Sequence, residues 1–451
     1  MVPNPLLRRS VIVVLALVAA AILALAALAS HRELPATAAA AASFDTATVA
    51  RGARLAAIGD CASCHTARDG RPYAGGVPVP TPFGTIHGTN VTPDRETGIG
   101  AWSEPAFVRA MRDGVSRDGH QLYPAFPYDH FTHSADDDLH ALYAYLMTRD
   151  PVRAPNRAND LRFPFSVRPL IAAWNALYLD KRPHQPDPAQ GAEWNRGAYL
   201  VQSLGHCGAC HSPRNALGAE RRGRAFAGGE AEGWYVPALN AASPSPLPWT
   251  VEQLTSYLRT GIAAGHAVAG GPMQQVVESL GRADEGDVHA IAVYIASVLG
   301  PMNAEREARE AAARRRAERG VLVAATGDDL ARSGAASGAK ADAEAIRVGQ
   351  TVYADACASC HDAGRAISSS GALRLPLAVA VHDPDPRSLL RIVREGIAPP
   401  PAEPGRWMPA FGATLTDAQL TGLLAYLRHD AAGAPPWPNL AQAVRETRTS
   451  P

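Results

Sequence analysis

Two hydropathy patterns divide the chain. From Val11 to Ala29 no position is charged and nearly every residue is apolar. A run of that length approaches what a helix needs to cross a bilayer core. Arg8 and Arg9 precede it, and Ala27 and Ala29 offer the small residues of a cleavage site. A cleaved export signal and a retained anchor both fit, with length favouring the anchor; either one places everything after Ser30 outside the cytoplasm. Beyond this run the pattern becomes helical and repeats. Leu420, Leu423, Leu424 and Leu427 fall on one helical face, with Thr416 as predicted N-cap and Asp417 in the first turn. Asp136, Asp137 and Asp138 stand in the same relation to Leu139, Leu142, Tyr143 and Leu146. A common tail marks the closing helices: Ala144-Tyr145-Leu146, Val293-Tyr294-Ile295 and Ala425-Tyr426-Leu427. Earlier in each repeat a helix is predicted to end in glycine, at Phe107 to Gly114, Leu254 to Gly261 and Leu389 to Gly396. Earlier still come short helical stretches carrying Gly52, Gly197 and Gly349.

The repeats share one chemical motif. All six cysteines occur as Cys-x-x-Cys followed at once by histidine: Cys61, Cys64 and His65; Cys207, Cys210 and His211; Cys357, Cys360 and His361. An even cysteine count in an exported chain ordinarily predicts disulfides, and paired Cys-x-x-Cys can hold zinc. Neither explains a histidine after every pair. Covalent attachment of haem c does: two thiols add across the two vinyl groups, and the adjacent imidazole binds the iron as proximal ligand. The expectation is three haems c.

The second axial ligand has to come from elsewhere. Met408 lies in Trp407-Met408-Pro409 and Met273 in Gly271-Pro272-Met273, both before a closing helix, with a proline that stiffens the segment presenting the sulfur. Met273 stands 62 positions after His211; 61 positions after His65 stands Phe126, which cannot bind iron. Met111 matches Leu258 and Val393, which read as helix core, and Met147 matches Ala296 and Arg428 on the closing helix. His130 is the expected ligand of the first haem, with His133 and His120 as alternatives. A bis-histidine haem should sit below the two His/Met haems in potential. An open, five-coordinate first haem is the competing outcome.

Composition alters this picture little. Forty-three basic and 43 acidic residues cancel, which argues against nucleic acid as a partner. At 451 residues several domains are expected. The predicted boundaries are 1–30 for the signal or anchor, 46–150, 191–302 and 344–430 for the three units, 151–190 and 303–343 for connectors, and 431–451 for a polar tail. The first connector is rich in Pro and Arg around an aromatic core from Phe163 to Tyr178. The second begins with a charged stretch, Glu305 to Arg319, read as a solvated helix, and continues as Gly/Ser/Ala-rich linker.

Each unit resembles the monohaem class I cytochrome c fold, which implies an all-α chain of three tandem domains. The whole resembles the three-haem cytochrome c subunit of bacterial membrane-bound dehydrogenases. The stretches that carry the resemblance are Gly59 to Thr66, Thr81 to Ile86, Asn90 to Asp94, Gly98 to Gly100, Leu122 to Tyr128, Phe163 to Phe165 with Trp174-Asn175, and Arg196 to His211. Many members have Met where this chain has Phe126. The run Tyr123 to Phe131 looks most like the branch paired with molybdenum hydroxylases of isoquinoline or nicotinate type, and that likeness supports His130. The resemblance implies a catalytic partner that is a molybdenum hydroxylase, quinoprotein or flavoprotein, ubiquinone or a terminal oxidase as acceptor, and a place on the periplasmic side of the cytoplasmic membrane. The chain itself shows no dinucleotide fingerprint and no base–nucleophile set, so an electron carrier is expected rather than a dehydrogenase. A haem enzyme, such as a peroxidase or small-ligand reductase working at an open first haem, is the alternative.

Overall fold

The computed structural model describes residues 5–37, 44–319, 337–362, 373–399 and 408–449. It forms two compact units, Met1–Asp187 with Gln202–His206, and Pro188–Val201 with Cys207–Pro451. About half of the chain is helical.

In the first unit, α1 (Pro5–Ala29) is the long apolar helix, and no residue of its span Arg9–Ala29 is buried. Then come α2 (Thr46–Ile58), α3 (Cys61–His65), α4 (Glu104–Asp113), α5 (Tyr128–Phe131), α6 (Asp136–Met147) and α7 (Leu170–Tyr178). Asp45 caps α2 by accepting the Thr48 N–H at 2.9 Å. Helices α2 and α6 cross face to face. The crossing is possible because Gly52 has no side chain: a Cβ there would collide with the carbonyl of Ala141 and the Cβ of Tyr145. Arg51, one residue earlier, reaches Asp138 of α6 at 2.5 Å, and that carboxylate is almost wholly buried. Asp138 therefore ties two helices together, where the sequence suggests a role at the helix start alone.

The same device recurs in the second unit. Helix α8 (Ala192–Gln202) crosses α12 (Glu285–Leu299), where Gly197 abuts the carbonyl of Ala290 and the side chain of Tyr294. Arg196 binds Asp287 at 2.7 Å. Between them lie α9 (Gly208–His211), α10 (Val251–Thr260) and α11 (Pro272–Leu280). After α13 (Ala304–Glu318), helix α14 (Ser337–Ala356) crosses α18 (Asp417–Tyr426), with Gly349 against the carbonyl of Gly422 and the Cβ of Tyr426. Here Val348 and Gln419 replace the ion-pair residues. Within this repeat lie α15 (Ala358–His361), α16 (Val379–His382) and α17 (Arg387–Glu395). Thr416 caps α18 through a capping box with Gln419, as the sequence predicts. Helices α4, α10 and α17 end in glycines of positive φ: Gly114 at 63°, Gly261 at 78° and Gly396 at 74°.

Several expectations are revised. The chain is not purely helical. β1 (Pro78–Thr81), β2 (Gly84–His87) and β3 (Asp160–Leu161) form a small antiparallel sheet, and β4 (Gly229–Ala231) with β5 (Trp234–Val236) and β6 (Ile262–Ala263) with β7 (Ala267–Val268) form hairpins. They give the long loops backbone partners that solvent would otherwise supply. Phe163 is 83 % exposed and so belongs to no aromatic core. Helix α13 is not solvated on every side: Arg306 is buried and donates to the carbonyls of Leu299, Gly300 and Pro301, and Ala313 and Ala317 are buried with it. Of the rest of that linker, residues 320–336 lie outside the described residues, and 337–343, expected as flexible linker, are helical and open α14. The last segment, read as a polar tail, forms α19 (Leu440–Thr449) and adds Trp437, Leu440 and Val444 to the core of the third repeat.

Candidate haem sites

Each Cys-x-x-Cys-His starts just after a repeat's first helix and makes a single helical turn: α3, α9 and α15. None of the six cysteines is in a disulfide. Burial pushes the Cys61 and Cys207 thiols up to about 12 and that of Cys357 up to about 11. They are therefore neutral S–H groups, the form that adds across a vinyl double bond with sulfur on one carbon and hydrogen on the other.

The imidazoles are the more telling part. His65 Nδ1 lies 2.6 Å from the carbonyl of Thr89, His211 Nδ1 2.8 Å from that of Pro237, and His361 Nδ1 3.1 Å from that of Leu373. A carbonyl only accepts, so in each ring Nδ1 carries the proton and Nε2 is the nitrogen left for a metal. Burial holds all three imidazoles below their ordinary value, His211 down to about 4, and so keeps them neutral. A neutral ring, fixed in tautomer and orientation by its second nitrogen, is how proteins prepare a metal-binding histidine. The donor set fits haem c. The sequence could not disclose Thr89, Pro237 and Leu373, because a main-chain oxygen carries no residue signature.

Glycines and apolar packing shape the surroundings of these turns. In the first repeat, Gly88 abuts the carbonyl of Cys64 so closely that a Cβ would not fit, and Gly75 donates to the carbonyl of His65 at 2.8 Å. In the second, Gly229 of β4 abuts the carbonyl of Cys210, and Pro237 follows β5. Gly271, at φ 55°, lies against the ring of Trp234 on the same hairpin. That contact fixes the start of α11, where Met273 stands in the first turn rather than in the loop that the sequence suggests. In the third, the apolar core that takes up Cys357 also takes up Met408. Met408 exchanges backbone hydrogen bonds with Ile397 at 2.9 and 3.0 Å.

The first repeat's distal side differs. Phe126 packs among Tyr128 and Phe131, with ring centroids 6.2 and 5.4 Å away. His130 lies on α5, half-buried, with Nδ1 3.3 Å from the carbonyl of Gln202. His133 Nδ1 meets the carbonyl of Arg182 at 2.6 Å. His120 is engaged by Asp118 at 2.5 Å and Ser116 Oγ at 2.9 Å. Met111 is a buried residue of α4, as its repeat position implies.

Comparison with known proteins agrees with this chemistry. Residues 49–150 match the cytochrome c family, and residues 344–427 match subunit III of cbb3-type cytochrome c oxidase. A nicotinate dehydrogenase subunit of Pseudomonas putida is 45 % identical over 91 % of this chain, which spans only 32 % of that protein's own length. The fructose dehydrogenase cytochrome subunit of Gluconobacter japonicus is 36 % identical, covering 84 % of this chain and 78 % of the relative. The gluconate 2-dehydrogenase cytochrome c subunit of Pantoea cypripedii is also 36 % identical, covering 88 % and 87 %.

Proposed function

Since the chain belongs to the cytochrome c subunits of bacterial dehydrogenases, we propose that it is a three-haem wire between a catalytic subunit and the respiratory chain. Haem c supplies one-electron chemistry; the chain's part is to hold each haem through two thioethers and to fix its axial ligands. His65, His211 and His361 are the proximal ligands, and Met273 and Met408 the distal ligands of the second and third haems. His130 serves the first haem, supported by its place on α5 directly after Phe126. The observation that carries this reading is the threefold carbonyl anchorage of the proximal rings. The three glycine-mediated helix crossings, each beside one attachment motif, support three tandem class I domains.

The electron donor is a separate dehydrogenase subunit. The likeness to the nicotinate dehydrogenase polypeptide supports a molybdenum hydroxylase in that place, ahead of a quinoprotein or flavoprotein. The acceptor is ubiquinone or a terminal oxidase. Helix α1 is a retained anchor, and the haem-bearing units lie on the periplasmic side of the cytoplasmic membrane.

The test is purification of the tagged chain from native membranes. A larger catalytic subunit should accompany it, and the substrate of that enzyme should reduce all three haems. A chain that arrives alone, binds cyanide at the first haem and consumes peroxide would overturn the proposal in favour of a haem enzyme.

A further inference from the structure

Helix α1 does not leave the first unit as a free stalk. Leu25 and Ala29, four apart on one face, are partly covered, and α1 packs along α7 of the connector. The chain that follows is stitched down. The N–H of Leu34 donates to the carbonyl of Arg117 at 2.8 Å, and that of Thr37 to Ala101 at 3.0 Å. Arg109 donates to the carbonyl of Arg32 at 2.8 Å, and Arg117 pairs with Glu33 at 2.7 Å. The point where α1 ends is thus fixed beside α7.

The surface there is unusual for a water-soluble domain. Among the described residues outside α1, the exposed large apolar side chains are Phe163, Val167, Leu170, Leu177 and Leu217; four of these five lie in the short connector stretch 163–177. Leu170 and Leu177 are seven apart on α7 and share a face. Ala172 and Trp174 of the same helix are buried and Ile171, Asn175 and Tyr178 partly covered, whereas Leu170, Ala176 and Leu177 are exposed, so α7 has one side on the protein and one outside it, with Trp174 at the border between them. Exposed Arg162 stands next to Phe163. Aromatic and aliphatic side chains edged by arginine, on a helix lying beside a bilayer-length helix, have the make-up of a membrane-interface segment.

We infer that the connector stretch from Phe163 to Leu177 is a second membrane contact, which lies in the headgroup region of a phospholipid bilayer beside the point where α1 emerges. The inference rests on reading α1 as a retained span. Two contacts would fix the tilt of the first haem-bearing unit over the membrane, where one helix alone would leave it free to swivel.

The experiment uses the full haem-loaded chain in phosphatidylcholine/phosphatidylglycerol nanodiscs that contain a phospholipid with a photoactivatable acyl chain. Adducts are mapped by mass spectrometry, and intact mass reports whether α1 is retained. Adducts are expected both on α1 and on Phe163 to Leu177; in a Phe163→Asp/Leu177→Asp variant the connector adducts should be lost while those on α1 persist. Adducts confined to α1 overturn the inference. Should the variant then also lose its dehydrogenase partner or a second copy of the chain, the apolar face is a protein interface. An intact mass that begins after Ala29 with connector adducts present removes the anchor and leaves the lipid contact standing; the same mass without adducts removes both.

Discussion

At the scale of single residues, the hardest constraint is an absent side chain. Gly197 lets α8 meet α12 at backbone distance, and a methyl group there would strike the carbonyl of Ala290. Gly197→Ala should therefore destabilise the chain by about 2 kcal/mol, the usual scale of overpacking, read as a lower denaturant midpoint with haem content checked by absorbance. His266 gives a pH signature. It is fully buried, stacked on Trp249 at 4.0 Å, and within 3.0 Å of Gln253 Oε1. Burial, with some help from Arg314, lowers its pKa to about 4. The unfolded chain, with an ordinary histidine near 6.5, then binds the proton first. Stability from this residue is complete above about pH 6.5 and is lost as pH falls toward 4. Equilibrium unfolding across that window should show the loss, and His266→Gln should flatten that part of the curve.

Among the elements, α18 shows what the chain declares openly. Its Thr416 cap, its leucine face and its Tyr426 tail are all readable, because a helix start and a helical stripe are local codes. Thr416→Ala should cost about 1 kcal/mol in thermal or chemical unfolding. The hairpins β4–β5 and β6–β7 are not readable, since strands of two or three residues are too short to show alternation. Nor are the pairs Arg51–Asp138 and Arg196–Asp287, whose partners lie far apart in sequence. A signal is nonetheless there: both repeats place Arg before the crossing glycine and Asp before the first apolar residue of the closing helix. Gly271-Pro272 reads as a break, which suggests a loop for Met273; proline is equally at home in the first turn of a helix, and the chain uses it so.

For the whole molecule, the three attachment motifs and three closing helices make the repeat plain in the sequence, whereas the burial of α13 and α19 is a tertiary choice that a charged or polar composition conceals. The proposed ligands make a prediction at this scale. Potentiometric titration of the full chain should resolve three one-electron steps, the lowest belonging to the first haem. Low-temperature EPR of the oxidised protein should show three low-spin haems, and His130→Ala should turn one of them high-spin. An unchanged spectrum would reject His130 as its ligand.

The carbonyl anchors of His65, His211 and His361 have a consequence for speed. An electron moves fastest when little has to rearrange as the charge arrives, so a ligand free to rock would add reorganisation energy at every hop. Each of these rings is pinned at its far nitrogen to the main chain, at Thr89, Pro237 and Leu373. With these rings as the proposed proximal ligands, the same bond that fixes the tautomer would also damp their motion as an electron passes.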